Sequence, residues 1–129
     1  MVTQTNIGLL QKLRLAYGQT SQANIYIGLD GSDTAESATA TSPSQELTTN
    51  GCGRVQGTVS DVSSGGTIAL RLQADYVFTG ENTIKAVFGA WSSSAGANMT
   101  WRAVLGTAYA VGANDQLTVK VTDTISRGT

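Results

Sequence analysis

The sequence predicts an all-β protein, an antiparallel two-sheet sandwich or flattened barrel with a short N-terminal helix. Three observations predict it. The stretch TIALRLQADYVF keeps a period of two, with Ile68, Leu70, Leu72, Ala74, Tyr76 and Phe78 on one face and Arg71, Gln73 and Asp75 on the other. The chain is rich in residues that suit strands and tight turns: 18 Thr, whose branched Cβ fits a pleated surface, with 15 Gly and 12 Ser to turn it. No helical pattern of about 10–15 residues separates the later apolar runs, which disfavours parallel strands joined by helices.

The elements follow in order. In NIGLLQKLRLAYGQ, Ile7, Leu10, Leu13 and Tyr17 recur near helical spacing with Leu9 and Ala16 beside them. Asn6 is placed to cap such a helix and Gly18 to stop it. Leu13, Leu15 and Tyr17 also alternate, so a strand competes, but a helix is favoured. NIYIGLDG reads as a short strand at 24–29. The polar stretch that follows, a long loop at about 31–50, contains the only proline, Pro43. A loop of that length is either a surface crossover or a functional segment.

From 53 the alternation returns. Strands are predicted at 53–62, with Val55, Gly57 and Val59 on one face, and at 66–78, after a turn in SSGG. TGEN then turns the chain into 83–91, with Ile84, Ala86, Phe88 and Ala90 on one parity. The strand at 98–105 carries Met99, Trp101, Ala103 and Leu105, and the last, at 116–126, carries Leu117, Val119, Val121 and Ile125. Each offers one apolar face, and each face needs a covering layer. Residues 1–22 are therefore read as a helix or arm, and 23–129 as a single β-sandwich domain. The apolar side of the arm either covers the end of the sandwich or docks on a neighbour.

Catalysis is not expected. The chain has no His, which removes the commonest general base and most transition-metal sites. Cys52 sits between two glycines, in what reads as an accessible turn, with no base beside it. Asp30, Asp33 and Glu36 resemble a calcium loop only superficially, because the glycine required at the sixth position is missing. GCGR and SSGG do not lead through GK[ST] into a helix, so no phosphate loop is present. No cofactor and no metal are expected.

Charge narrows the partners. Eight basic against nine acidic residues give a net charge of −1, and no basic stripe exists for a nucleic-acid backbone. Only 13% of residues are charged, against roughly 25% in an average domain, so little repulsion separates copies. MVTQTNIGLL lacks a basic leader and an apolar core, and no stretch is long and apolar enough to span a membrane, so neither secretion nor a membrane partner is expected. Trp91, at the end of its strand, and Tyr109 are the candidates for stacking on a sugar.

Several phrases carry a resemblance: IYIGLDGSDTA with Gly28, SPSQELTTNGCGRVQGTV with Arg54, NTIKAVFGAWSSSAGANMTWRAVLG with Phe88 and Arg102, and YAVGANDQLTVKVTDTIS with Asp115. Through them, residues Asn24 to Ser126 resemble the small all-β domain of tailed-phage and prophage tail-fibre-like and other virion structural proteins. Where that pattern has Glu-Ala-Gly-Leu-Phe, this chain has Lys85-Ala86-Val87-Phe88, so an acidic partner for a buried Arg is expected to be missing. The resemblance implies a non-enzymatic virion subunit (tail or fibre adaptor, neck component or capsid decoration protein), made in the host cytoplasm. Its partners would be itself, with a trimer favoured, and other virion proteins. Ile7, Leu10, Leu13 and Tyr17 of the arm and Asp33, Glu36 and Glu46 of the loop are the expected attachment surface. The alternative is a carbohydrate-binding module that uses Trp91 and Tyr109 on a host glycan.

Overall fold

The computed structural model describes residues 2–21, 23 and 25–126. Met1, Gln22, the expected strand start at Asn24 and residues 127–129 of the expected domain lie outside them. The elements are β1 (Val2–Gln4), α1 (Asn6–Ala16), β2 (Tyr26–Asp30), β3 (Glu46–Leu47), β4 (Val55–Gln56), β5 (Thr58–Asp61), β6 (Thr67–Val77), β7 (Asn82–Ala90), β8 (Met99–Val111) and β9 (Gln116–Ser126). The larger sheet has six strands in the order β1-β8-β7-β2-β3, with β4 also on β2; the smaller has three, β5-β6-β9. Every pairing is antiparallel. The all-β two-sheet expectation with one short N-terminal helix therefore holds.

Local chemistry explains the helix ends. Thr5, not Asn6, is the N-cap: its Oγ1 accepts from Gly8 N at 3.0 Å and donates to Met99 O at 2.7 Å. At the other end Gly18 takes φ +71°, and Gln19 N and Gly18 N reach back to the carbonyls of Arg14 and Leu15, a Schellman motif. Gly18 stops the helix as expected.

The strand predicted at 53–62 is two strands in two sheets. β4 pairs with β2 and β5 with β6, and the chain changes layer at Gly57. β8 is longer than the expected 98–105 and is bulged. Gly89 pairs with Trp101 but Ala90 with Met99, so Thr100 is an extra residue that reverses the alternation. Met99 therefore leaves the face of Trp101 and joins Phe88 and Ala90 in a second apolar cluster with Tyr26 and Ala40, whereas the main core holds Ile27, Leu29, Tyr76, Phe78, Ile84 and Val87. Phe88 and Ala90 were expected to share one face with Ile84; instead the central strand β7 is buried on both sides. Tyr76, on the smaller sheet, ties the layers together by donating its hydroxyl to Ile27 O at 2.6 Å.

Cys52 is fully buried and not in an accessible turn, which corrects the sequence expectation. Asn82 Nδ2 lies 3.2 Å from its sulfur. Burial pushes the thiol pKa up, and that amide contact offsets part of the rise.

Candidate functional site

The helix puts its apolar side outward. Gly8 packs against the Thr100 bulge so closely that a Cβ there would stand 2.2 Å from Thr100 O, and Gln11 is buried on the same side. At about 100° per residue, Leu9, Leu10, Leu13 and Tyr17 fall on the opposite side. Leu13 is 58% exposed and Tyr17 83%. Of the four arm residues singled out from sequence, Ile7 is half-buried and the other three form a solvent-facing stripe with Leu9. Lys12 bonds Asp123 on β9 at 2.9 Å, pinning one flank of the helix to the smaller sheet.

A second open apolar surface belongs to that sheet. Its register sets Val59, Leu72 and Val121 in one row, Asp61, Leu70 and Asp123 in the next, and Ile68 beside Ile125 beyond. Alternation puts these on the face that covers the core at Ala74 and Tyr76. Towards the β5–β6 turn the larger sheet no longer covers it: Ile68 is 59% exposed, Ile125 74%, and Leu70 and Val59 are about half exposed. The expectation that Ile68 and Leu70 lie in the core is thus corrected. Between this overhang and β8 runs a cleft of about 700 Å³, lined by Leu70, Leu72, Trp101, Leu105 and Val121 among others.

The 31–50 loop is held by two buried arginines. Arg102 Nε donates to Asp30 Oδ2 at 2.9 Å, and its terminal nitrogens donate to Ser32 O and Thr34 O, both at 2.6 Å. Glu36 Oε1 stands 3.7 Å away. The oxygens of residues 30, 32, 34 and 36 thus converge on one guanidinium, while Asp30 Oδ1 accepts from Ser32 N and Gln45 N. Arg54 makes the other clamp: Nε and Nη2 grip both oxygens of Glu46 at 3.0 and 2.9 Å, and Nη1 donates to Ser92 O. The Arg54 guanidinium also lies over the Phe88 ring, 5.1 Å from its centre. On β2, Gly28 makes room for that ring, since a Cβ there would be 2.1 Å from Phe88 Cζ.

Gly28, Phe88, Arg54 and Arg102 are therefore brought together on the outer face of the larger sheet. Asp115 stands apart, closing the turn before β9 by accepting from Gly112 N at 2.7 Å. The expected lack of acidic partners is corrected, because Asp30, Glu36 and Glu46 supply them from the loop. For the same reason Glu36 and Glu46 are turned inward and do not offer their carboxylates to a neighbour; of the three loop acids, Asp33 is exposed. Trp91 follows the end of β7, whereas Tyr109 pairs with Ile84 near its start. Seven residues of strand separate them, about 23 Å, so they do not form one sugar platform.

Sequence reasoning missed Asp30 as the partner of Arg102, 72 residues away. The available signal was its acidic side chain immediately before a loop without a base. Among the described residues no cluster of three or more His, Cys, Asp or Glu is placed to hold a metal. Compared with models of known families and with curated proteins, the chain matches none.

Proposed function

We propose that the protein is a non-enzymatic structural subunit of a phage or virus-like particle, working by self-association and by docking on other virion proteins. The observation that carries the docking part is the orientation of α1: the helix buries Gly8 and Gln11 on the fold with Ile7 and Leu15 half-buried beside them, and together with its C-cap it turns three leucines and a tyrosine to solvent. Free monomers rarely keep such a stripe open without a use for it. The virion part rests on the sequence resemblance of residues 24–126; of its motif residues, Gly28, Arg54, Phe88 and Arg102 share one cluster beneath the pinned loop, while Asp115 lies in the turn before β9.

Sedimentation of the purified chain across about 1–200 μM tests the first part, with association expected to rise with concentration and to weaken in Leu13→Ser. Quantitative mass spectrometry of particles purified from the producing host tests the second, with this chain expected at a copy number comparable to other structural proteins. A monomer throughout, absent from such particles, refutes the reading.

A further inference from the structure

We propose that the outward stripe of α1 docks on the overhanging face of the β5–β6–β9 sheet in a second copy of the chain. The inference rests on the self-association reading and goes beyond it by naming both halves of the contact. Within one chain the two surfaces do not meet, because the stripe points directly away from the side that packs on Thr100.

Charge selects unlike over like pairing. The first acidic residue in the sequence is Asp30, so the helix carries Lys12 and Arg14 and no acidic residue of its own. Arg14 follows Leu10 by four positions, beside the stripe, and makes no ion pair among the described residues. The overhang is the reverse, with Asp61 and Asp123 flanking Leu70 in one row. Lys12 already engages Asp123, whereas the Asp61 carboxylate meets only the Ser63 amide and hydroxyl. Helix on helix would bring together two unpaired Arg14 residues, and overhang on overhang two unpaired Asp61 residues, since Asp123 is already held by Lys12. Helix on overhang sets Arg14 against Asp61.

Size and surface chemistry agree. The helix is about 16 Å long and the three-strand overhang about 10 Å wide, so one seats across the other. From their fractional exposures, Leu9, Leu10, Leu13 and Tyr17 on one side and Val59, Ile68, Leu70 and Ile125 on the other each open roughly 400 Å² of surface, the size at which an apolar patch marks an interface. Burying one of each, with a polar rim, reaches the lower end of specific interfaces at about 1,200 Å². The overhang is aliphatic and acid-flanked, which suits neither a sugar ring nor a phosphate. Because the two halves differ, the contact is either made twice, reciprocally, in a two-fold dimer or runs head-to-tail, giving a ring where the rotation between copies closes.

The test uses full-length chains carrying Leu13→Cys or Ile68→Cys, distinguishable by mass, alone and mixed under mild oxidation. Buried Cys52 is left in place. We expect the mixture to cross-link at least tenfold more than either variant alone. Arg14→Glu is expected to weaken association by about tenfold, and combination with Asp61→Arg to restore it. Should Leu13→Cys lose its β-rich circular dichroism, Leu10→Cys replaces it. Self-cross-linking of either variant, or full association in both Leu13→Ser and Ile68→Thr, overturns this pairing and leaves self-association standing. A wild-type chain that stays monomeric overturns both.

Discussion

Replacing Arg102 by Met should be the most damaging single change in the outer layer. The substitution keeps much of the side-chain volume but removes the charge from a pair whose side chains are both fully buried. Asp30 then keeps the amides of Ser32 and Gln45, but its charge is uncompensated and Ser32 O and Thr34 O lose their donors. Breaking a buried pair from one side costs about 3–5 kcal/mol. An unfolding entropy of about 2.1 cal/mol/K per residue amounts to about 0.27 kcal/mol/K for this chain. A loss of about 4 kcal/mol therefore lowers the melting temperature by about 15 °C. Differential scanning calorimetry measures it. Arg102→Met with Asp30→Asn should lose clearly less than the two single changes summed, since the isolated charge is gone. A glutamate-specific protease should also reach Glu36 faster in Arg102→Met. A drop below about 4 °C, or strict additivity in the double variant, would refute the assignment of the loop's order to this ion pair.

Other outcomes follow from the same geometry. Gly28→Ala forces a methyl into the Phe88 ring and should cost about 1–3 kcal/mol in urea unfolding, whereas an exposed helix change such as Leu13→Ser should stay within about 0.5 kcal/mol. Burial raises the pKa of Tyr76 above 10.0 and that of Cys52 above 9.0, so in both cases the unfolded chain releases its proton first. The stability they contribute is complete below pH 9.0, begins to fall above it through Cys52 and falls further above pH 10.0 through Tyr76; Tyr76→Phe should flatten the later slope in pH-dependent denaturation. Cys52 should resist iodoacetamide in the native chain at pH 8 and react fully in urea, with mass spectrometry as the readout. A glycan array should show no specific signal reduced by Trp91→Ala; a signal that Trp91→Ala abolishes would favour the binding-module alternative.

Period-two alternation was enough to find β6, β7 and β9 nearly end to end, because it follows directly from backbone geometry. It says which residues share a face, and nothing about whether a layer covers that face. Hence Ile68 and Leu70 read as core and lie open. The Thr100 bulge escaped for a related reason: one extra residue flips Met99 across the sheet without changing local composition. The helix was legible from its spacing, but its orientation was not, since its largest apolar stripe would ordinarily face inward. Gly8 was the clue, being the one position where backbone could approach backbone. The arginines were legible as marked residues, whereas their partners were not, because pairing across 72 positions leaves no local pattern.

The convergence of oxygens from residues 30, 32, 34 and 36 on Arg102 has a thermodynamic consequence. Loops with that spacing of oxygens are commonly folded by a divalent ion, and their order then depends on how much of the ion is free. Here the central cation is part of the polypeptide. Its effective concentration is fixed by the fold, so no mass-action term links the loop to ion supply, and neither dilution nor a chelator can draw it away. Salt has little leverage either, because the pair is closed to solvent. A surface built on this loop keeps one shape in a cell interior, a dilute lysate or open water.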